Sequence, residues 1–183
     1  DAAAARPLTI GPDCDAPFTT AAMVNISGMS YGSVSKPALQ ALSRGAAMAG
    51  CWINTGEGGL SPYHLEGNAN IVFQIGTAKY GVRTLEGKLS DDKLREIARR
   101  HNVRMFELKL SQGAKPGKGG ILPADKVNDE VAMIRGIPAG KASISPNRHP
   151  EIDSNTDLLQ MMHHLREVTG KPAGFKTVLG GAQ

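Results

Sequence analysis

The sequence predicts an α/β fold in which parallel strands alternate with helices, and two observations support this prediction. Short apolar segments alternate along the chain with longer segments whose apolar residues recur at three- and four-residue spacing. Glycine-rich, polar segments come directly after the apolar segments. Because the loops that follow the strands of an α/β barrel build its active site, these polar segments lie where chemistry is expected.

Four strand–loop–helix repeats are predicted, which is about half of a (β/α)8 TIM barrel, since that fold has eight strands and typically ~250 residues. The helix predictions depend on end residues, such as Ser90 as a cap and Gly50 as a stop. The predicted strands are Ala21–Ile26, Cys51–Asn54, Met105–Leu110 and Ala173–Val178, with a short extra strand at Ile71–Ile75. The predicted helices are Ser35–Gly50, Ser90–Arg100, Ala124–Arg135 and Thr156–Thr169.

Two segments of the chain are distinguished by composition. Residues 1–20 are rich in Ala, Pro and Asp without a period, and we predict a leading arm that packs on a surface. Residues 21–183 are predicted to form the N-terminal half of the barrel. The chain begins at Asp1 without a methionine and stops at Gln183 directly after a predicted strand. We therefore expect a longer protein, in which a missing C-terminal half completes the barrel.

Composition places the chain among ordinary globular proteins. It has 183 residues, of which 40% are hydrophobic and 21% are charged. The formal net charge is +4 and the pI is about 9.2, but Lys and Arg are scattered and form no basic run. Nucleic acid is therefore not a predicted partner. A positive site for a dicarboxylate or a phosphate explains the charge as well.

The two cysteines and the apolar segments indicate a cytoplasmic protein. Cys14 and Cys51 lie far apart and match no metal-binding spacing, so neither a disulfide framework nor a metal site is predicted. No apolar run approaches the ~20 residues of a membrane span. The opening residues lack the basic start and apolar stretch of a signal peptide.

The segment Gly56-Glu57-Gly58-Gly59 places one carboxylate on a loop that has almost no other side chains. Glycines let main-chain amides approach a ligand closely, so Glu57 is a candidate functional residue. The alternative is a tight turn with an exposed glutamate.

The segment Gln112–Gly120 combines an amide, two ammonium groups and four glycines immediately after a predicted strand. Lys115 can neutralise a carboxylate, Gln112 can donate and accept, and glycines let main-chain N–H groups surround an anion. The segment lacks the Lys-Ser/Thr ending of a P-loop, which disfavours nucleotide phosphate. The alternative is a solvated, flexible loop.

Four motifs of the chain are Ile26–Gly32, Asn54–Gly59, Gln112–Gly120 followed by Leu122-Pro123, and Ser145-Pro146 with His149 and Ile152. Together they resemble the FMN-binding synthase domain of glutamate synthases, and most closely the stand-alone FMN-binding members of that family. They occur in the family's order and with similar spacing, and the resemblance extends from about Ala21 to the last residue.

The resemblance implies an oxidoreductase that holds FMN above the mouth of the barrel. Ammonia and 2-oxoglutarate would form 2-iminoglutarate, and reduced FMN would pass a hydride to it, which gives L-glutamate. By motif position, the implied catalytic residues are Glu57, for proton handling, and Lys115. The implied substrate-binding residues are Gln112, Lys115, Gly119 and Arg135. The implied FMN-binding residues are Ser27, Gly28, Met29, Ser30, Asn54 and Gln112.

The chain also departs from full-length glutamate synthases. These begin with a catalytic cysteine that releases ammonia from glutamine, whereas this chain begins with Asp1 and an unrelated arm. The family's iron–sulfur cysteines lie after the later part of the barrel, so this chain does not test for a cluster. The loops that hold the FMN phosphate also follow late strands, and we expect the isolated chain to bind FMN weakly or not at all. The electron donor, a nicotinamide partner or ferredoxin, is not determined by these residues.

Two other functions are compatible with the same sequence. The first is transfer of another amine, as in N-methylglutamate formation, because the same loops would serve both reactions. The second is a non-catalytic half-barrel subunit that pairs with a complementary chain, since unpaired strand edges favour association. Arg135 has the alternative role of a cation at a helix end, and His149 that of a loop hydrogen-bonding group. His163 and His164, on a predicted helix, are expected to be structural or solvated.

Overall fold

A computed structural model describes residues 6–113 and 117–178. It is a mixed α/β structure around a five-stranded parallel sheet of order β3-β4-β5-β6-β9, with two small antiparallel pairs, β1-β2 and β7-β8. The strands are β1 (Leu8–Ile10), β2 (Phe18–Thr20), β3 (Ile26–Gly28), β4 (Trp52–Asn54), β5 (Asn70–Ile75), β6 (Val103–Lys109), β7 (Ile121–Leu122), β8 (Ser143–Ile144) and β9 (Ala173–Lys176). The helices are α1 (Lys36–Ala49), α2 (Pro62–Leu65), α3 (Asp91–Ala98), α4 (Asp129–Arg135) and α5 (Asn155–Thr169), with short 3₁₀ helices at Gly56–Gly58 and Ala124–Lys126. Within the described ranges no helix is long and apolar enough to cross a membrane.

Side-chain caps explain where the principal helices begin and end. Ser90 accepts a hydrogen bond from the main chain of Lys93 at the start of α3, and Ser154 forms a reciprocal capping pair with Asp157 at the start of α5. Helix α1 ends at Gly50, whose φ of +66° is the left-handed conformation that glycine adopts without strain. The three predicted helices that carry these end residues are confirmed to within two residues at each end.

The two faces of the sheet differ in character. Phe73 of β5 and Phe106 of β6 are register partners, both are fully buried, and their ring centroids lie 5.7 Å apart. They pack with apolar residues of α1, α3 and α5 in one core that contains Leu39, Leu94 and Leu165. Alternate residues of β6, including Glu107, point to the opposite face and are only partly buried.

Strand β5 corrects the expected number of parallel strands from four to five. The segment Ile71–Ile75 was predicted only as a short extra strand, but β5 pairs with β4 on one side and with β6 on the other. The sequence does not indicate a separate strand–helix unit here, because α2, between β4 and β5, has only four residues and is too short to show helical periodicity. The sheet is consistent with part of an α/β barrel.

The first parallel strand begins later than predicted. Ala21–Ile26 was expected to be a strand, but only Ile26 belongs to β3, and the side chains of Met23 and Val24 are each 84% exposed. Pairing of Gly28 with Asn54 fixes β3 instead, although Ser27 and Gly28 have low strand propensity.

The predicted helix Ala124–Arg135 is divided into two pieces. A 3₁₀ turn is followed by Val127, whose ψ of 70° is not helical, and α4 then starts afresh with Asn128 as its cap. The pair β7-β8 was not predicted, because two-residue strands give no detectable period.

The N-terminal segment, predicted as a leading arm that packs on a surface, contains the antiparallel hairpin β1-β2. Phe18 of β2 is 1% exposed and meets the Trp52 ring edge-on at 5.9 Å, and the Arg104 guanidinium lies 5.3 Å from the Phe18 ring centre. Trp52 and Arg104 lie at the amino ends of β4 and β6. The β1-β2 hairpin therefore covers the amino end of the parallel sheet, opposite the predicted site.

We expect Phe18→Ala to lower the free energy of unfolding by about 3–5 kcal/mol, because it empties a buried site between the hairpin and the sheet. Leu8→Ala is the matched control in the partner strand: Leu8 is 64% exposed, so the change should stay within about 0.5 kcal/mol. Denaturant unfolding of the purified variants measures both. Equal losses for the two variants would show that the hairpin does not pack as described.

Candidate functional site

The carboxyl ends of the parallel strands bring the glycine-rich segments to one edge of the sheet. Gly28 at the end of β3 pairs with Asn54 at the end of β4. A Cβ atom on Gly28 would lie 3.1 Å from Gln74 Oε1 and 3.1 Å from the Gly56 Cα. Glycine at position 28 therefore allows the ends of three adjacent strands to approach closely.

Glu57, Lys109 and Gln112 form a polar group at this edge, which we call the Glu57 group. Gln112 Nε2 donates to both carboxylate oxygens of Glu57, at 3.0 and 2.9 Å. Lys109 Nζ donates to Gln112 Oε1 at 2.8 Å and lies 3.7 Å from Glu57 Oε2. The Glu57 and Lys109 side chains are each 18% exposed, so the group is desolvated but still reachable by a ligand.

A second polar network crosses the strand ends and connects to the Glu57 group. Asn54 Nδ2 donates to Glu107 Oε1 at 2.9 Å, and Lys176 Nζ lies 3.1 Å from the same oxygen and donates to Gln74 Oε1. Asn54 Oδ1 accepts from the main-chain N–H of Gly56 at 2.9 Å, next to Glu57 in the chain. Side chains from β4, β5, β6 and β9 are thus held in one hydrogen-bonded layer.

Three glycines let the surrounding loops approach one another closely. A Cβ atom on Gly119 would overlap the carbonyl oxygen of Ser145, and one on Gly56 would lie 2.7 Å from the main-chain N of Ser30. A Cβ atom on Gly120 would overlap the carboxylate of Glu57. Side chains at these three positions would prevent the contacts that assemble the edge.

Arg135 lies in the interior, only 4% exposed, at the end of α4. Its Nη1 donates to Ser143 Oγ at 3.0 Å, its Nη2 donates to Ser30 Oγ at 3.2 Å, and the guanidinium lies 5.0 Å from the Tyr80 ring centre. Burial lowers the pKa of Arg135 from its ordinary value, while the charges of Tyr80 and Glu57 oppose that shift. Arg135 ties α4 to the loop after β3.

The predicted FMN-binding residues of the first loop lie at the same edge but differ in exposure. The Ser27 side chain is exposed, whereas Met29 and Ser30 are partly buried. The main-chain N–H of Met29 donates to the Asn54 carbonyl at 3.1 Å, and its carbonyl accepts from His64 Nε2 at 2.7 Å.

Lys115, predicted for both substrate binding and catalysis, lies outside the described residues. His149 is 1% exposed and its Nε2 donates to the Lys109 carbonyl at 2.9 Å, so it acts as a loop hydrogen-bonding group in this structure. Burial lowers the pKa of His149 below its ordinary value. His163 is exposed, and His164 Nε2 lies 2.8 Å from Asp91 Oδ1.

Sequence reasoning missed the charged and amide groups that lie inside the strands. Lys109, Glu107, Gln74 and Lys176 were treated as parts of strands and not as site residues. A pattern that could have identified them is present, because each interrupts an otherwise apolar strand near its carboxyl end.

Two surface cavities lie away from this edge. One, of about 340 Å³, is lined by residues of the β1-β2 loop and of α5, among them Cys14 and Arg166. The other, of about 540 Å³, lies between the segment after β5 and α5, and includes Lys79 and Glu151. Neither is lined by a residue of the Glu57 group, and we place the candidate site at the strand ends because the polar groups converge there.

The fold and the site together define an α/β protein that gathers charged and amide groups at the carboxyl edge of a parallel sheet. The chain belongs to the glutamate synthase family: a family model described as a conserved region in glutamate synthase matches residues 4–181. The resemblance found in the sequence is thereby confirmed. Because the match begins at residue 4, it also includes most of the leading arm, and the expectation that this arm is unrelated to the family was wrong.

Curated relatives carry the same family name. The chain is 45% identical over 168 residues to the glutamate synthase large subunit-like protein YerD of Bacillus subtilis, covering 91% of this chain and 32% of that protein. It is 39% identical over 155 residues to the archaeal-type glutamate synthase (NADPH) of Thermotoga neapolitana, covering 84% and 28%. It is 35% identical over 152 residues to the archaeal glutamate synthase (NADPH) of Archaeoglobus fulgidus, covering 82% and 27%. The chain therefore spans about a third or less of the length of these relatives.

We expect Gly56→Ala to destabilise the protein more than Gly50→Ala. Both glycines have left-handed backbone, with φ of +64° and +66°, so both changes carry the conformational cost of about 1–2 kcal/mol. Only the new Cβ at position 56 would clash, with the Ser30 backbone, which adds about 1–3 kcal/mol. Thermal unfolding of the two variants measures the difference, and equal shifts would mean that the two loops are not in contact.

Proposed function

We propose that this chain is part of a longer oxidoreductase that makes L-glutamate from 2-oxoglutarate and ammonia, with FMN as its hydride carrier. Family membership and the names of the relatives support the overall reaction. The observation that carries the assignment is the Glu57 group, in which a carboxylate, an amide and an ammonium group meet at the strand ends. The five parallel strands fit the first part of a (β/α)8 barrel, and we infer that the remainder belongs to the rest of the same protein.

The side chains at the strand ends include the hydrogen-bonding groups that a flavin ring requires. The pyrimidine edge of a flavin alternates hydrogen-bond acceptors and donors, and the amides of Asn54, Gln74 and Gln112 each offer both. The loop from Ser27 to Ser30 supplies main chain beside them, packed closely enough on the next loop to exclude a side chain at position 56. When bound, FMN supplies the hydride. Its phosphate is expected to bind residues that follow this chain.

Two ammonium groups at the edge can contact a small dicarboxylate, and each also pairs with a carboxylate of the protein, Lys109 with Glu57 and Lys176 with Glu107. Lys109 and Lys176 are register partners on adjacent strands, so two ammonium groups share one face of the sheet. We propose that Gln112, the main chain of Gly119 and Lys115 contact 2-oxoglutarate. Arg135 is proposed for one substrate carboxylate, and that contact would require the carboxylate to replace a hydroxyl partner of its guanidinium, Ser30 or Ser143.

Glu57 is proposed to move protons during imine formation. Gln112 donates two hydrogen bonds to the carboxylate and Lys109 lies 3.7 Å from it, so these neighbours hold the carboxylate at the strand ends, where it can exchange a proton with the substrate. Attack of ammonia on the ketone carbon of 2-oxoglutarate releases a proton, which Glu57 accepts. Glu57 returns that proton to the former ketone oxygen, which gives the carbinolamine. A second N–H proton then passes through Glu57 to the hydroxyl group, which leaves as water as the C=N bond of 2-iminoglutarate forms, so the two protons that nitrogen loses are the two that water carries.

The names of the Thermotoga and Archaeoglobus relatives include NADPH. These names favour a nicotinamide over ferredoxin as the electron source of the complete protein.

Product analysis tests the proposed function directly. The complete protein that carries this chain is incubated with 2-oxoglutarate, reduced FMN and either ammonia or methylamine, and the products are separated by mass. We expect glutamate from ammonia. N-methylglutamate from methylamine, without glutamate from ammonia, would assign the related amine-transfer reaction instead. Absence of product with both amines would contradict the catalytic proposal and favour a structural subunit.

We expect Glu57→Gln to lower kcat by roughly 10²–10⁴-fold, because the amide keeps the shape of the side chain but cannot accept the proton. The KM for 2-oxoglutarate should change by only about threefold, since the carboxylate is not needed to hold the substrate. Glu96→Gln, at an exposed position of α3, is the control and should leave both constants unchanged. A rise in KM with unchanged kcat would remove Glu57 from the chemistry.

A further inference from the structure

The loop that follows β3 is held by side chains that lie far from it in sequence. We call Met29–Tyr31 the rim loop. Arg135 Nη2 donates to Ser30 Oγ at 3.2 Å, and the hydroxyl of Tyr31 donates to Glu130 Oε2 at 2.5 Å. His64 binds the Met29 carbonyl at 2.7 Å. These three contacts come from α4 and α2, so the rim loop is fixed from its inner side.

His64 is completely buried, with 0% of its surface exposed, and both of its ring nitrogens are engaged. The main-chain N–H of Ser61 donates to Nδ1 at 3.1 Å, and Nε2 lies 2.7 Å from the Met29 carbonyl. A main-chain N–H can only donate, so Nδ1 is the acceptor and Nε2 carries the proton. His64 is therefore a neutral imidazole that donates to Met29. Burial also lowers its pKa, which keeps it in this form.

The helix that carries His64 is itself held in place. Tyr63, its neighbour in α2, donates through its hydroxyl to Glu130 Oε1 at 2.5 Å. Glu130 therefore receives one hydrogen bond from the rim loop, through Tyr31, and one from α2, and the two tyrosine rings pack edge to face at 4.9 Å. This arrangement leaves His64 little freedom to move away from Met29.

The hydrogen bond from His64 to the Met29 carbonyl fixes the orientation of the whole Met29–Ser30 peptide group. In a trans peptide the C=O and N–H groups point in opposite directions, so His64 also sets the direction of the Ser30 N–H. The Ser30 nitrogen lies close to Gly56, since a Cβ there would be 2.7 Å from it. In the chain, Asn54 lies two residues before Gly56 and Glu57 follows it directly.

We propose that His64 is a positioning residue for flavin binding: it orients the Met29–Ser30 peptide group, which contacts FMN, without touching the flavin itself. This inference rests on the proposed function. The proposed role requires a hydrogen-bond donor at the position of His64 Nε2. A side-chain amide of the right length should therefore replace the imidazole without loss of FMN binding.

Three variants of the complete protein test this role through the Kd for FMN, measured by flavin fluorescence well below each variant's unfolding temperature. His64→Gln keeps a donor that reaches Met29, and we expect its Kd to stay within about threefold of the wild type. His64→Leu keeps volume but leaves the Met29 carbonyl and the Ser61 N–H unpaired, and its Kd should rise at least about tenfold. His101→Leu removes an exposed histidine that bonds only Asn68 among the described residues, and should have no effect.

The outcomes separate this role from a purely structural one. A wild-type Kd for His64→Leu, or equal weakening by His64→Gln and His64→Leu, overturns the inference. If His64→Leu does not fold, His64→Asn replaces it: its shorter amide cannot reach Met29, so it should weaken FMN binding where glutamine does not. A wild-type protein that binds no FMN contradicts the proposed function and this inference together, whereas unchanged variants of an FMN-binding protein contradict only the role of His64.

Discussion

The parallel pairing of β5 with β6 is the constraint on which the rest of the structure depends. Its register joins Phe73 to Phe106 on one face and Gln74 to Glu107 on the other. If β6 shifted by one residue against β5, Phe106 would turn out of the core and Met105 or Glu107 would take its place beside Phe73. The same register that closes the hydrophobic core therefore delivers the amide and carboxylate groups to the opposite face.

Polar groups can lie inside this sheet because they satisfy one another. Glu107 accepts from Asn54 and lies beside Lys176, and Lys176 also bonds Gln74, so a desolvated carboxylate and ammonium group share a network that crosses four strands. An unpaired charge buried at this position would destabilise the fold, because no partner would offset the loss of its hydration.

Three of the four predicted helices, α1, α3 and α5, were predicted well because the residues that begin and end them act locally. Ser90 and Gly50 each act within one turn of the chain, so neighbouring residues alone determine what they do. The strands were predicted less well for the opposite reason. Gly28 belongs to a strand only because Asn54 lies beside it, and β5 was undervalued because the connection before it contains a four-residue helix. The N-terminal hairpin depends on Phe18 meeting Trp52, a contact between distant parts of the chain.

The sequence by itself determined the alternation of strands and helices, the family, and the two polar segments around Glu57 and Gln112, because these follow from local periodicity and from motifs in order. Only the tertiary structure decided that Glu57 and Gln112 are bonded to each other, that Lys109 completes their group, and that His64 holds the loop after β3. The physical reason is that each of these contacts joins separate elements of the fold. Such contacts are fixed by sheet register and by close backbone approach at glycines, and neither is visible in the order of residues alone.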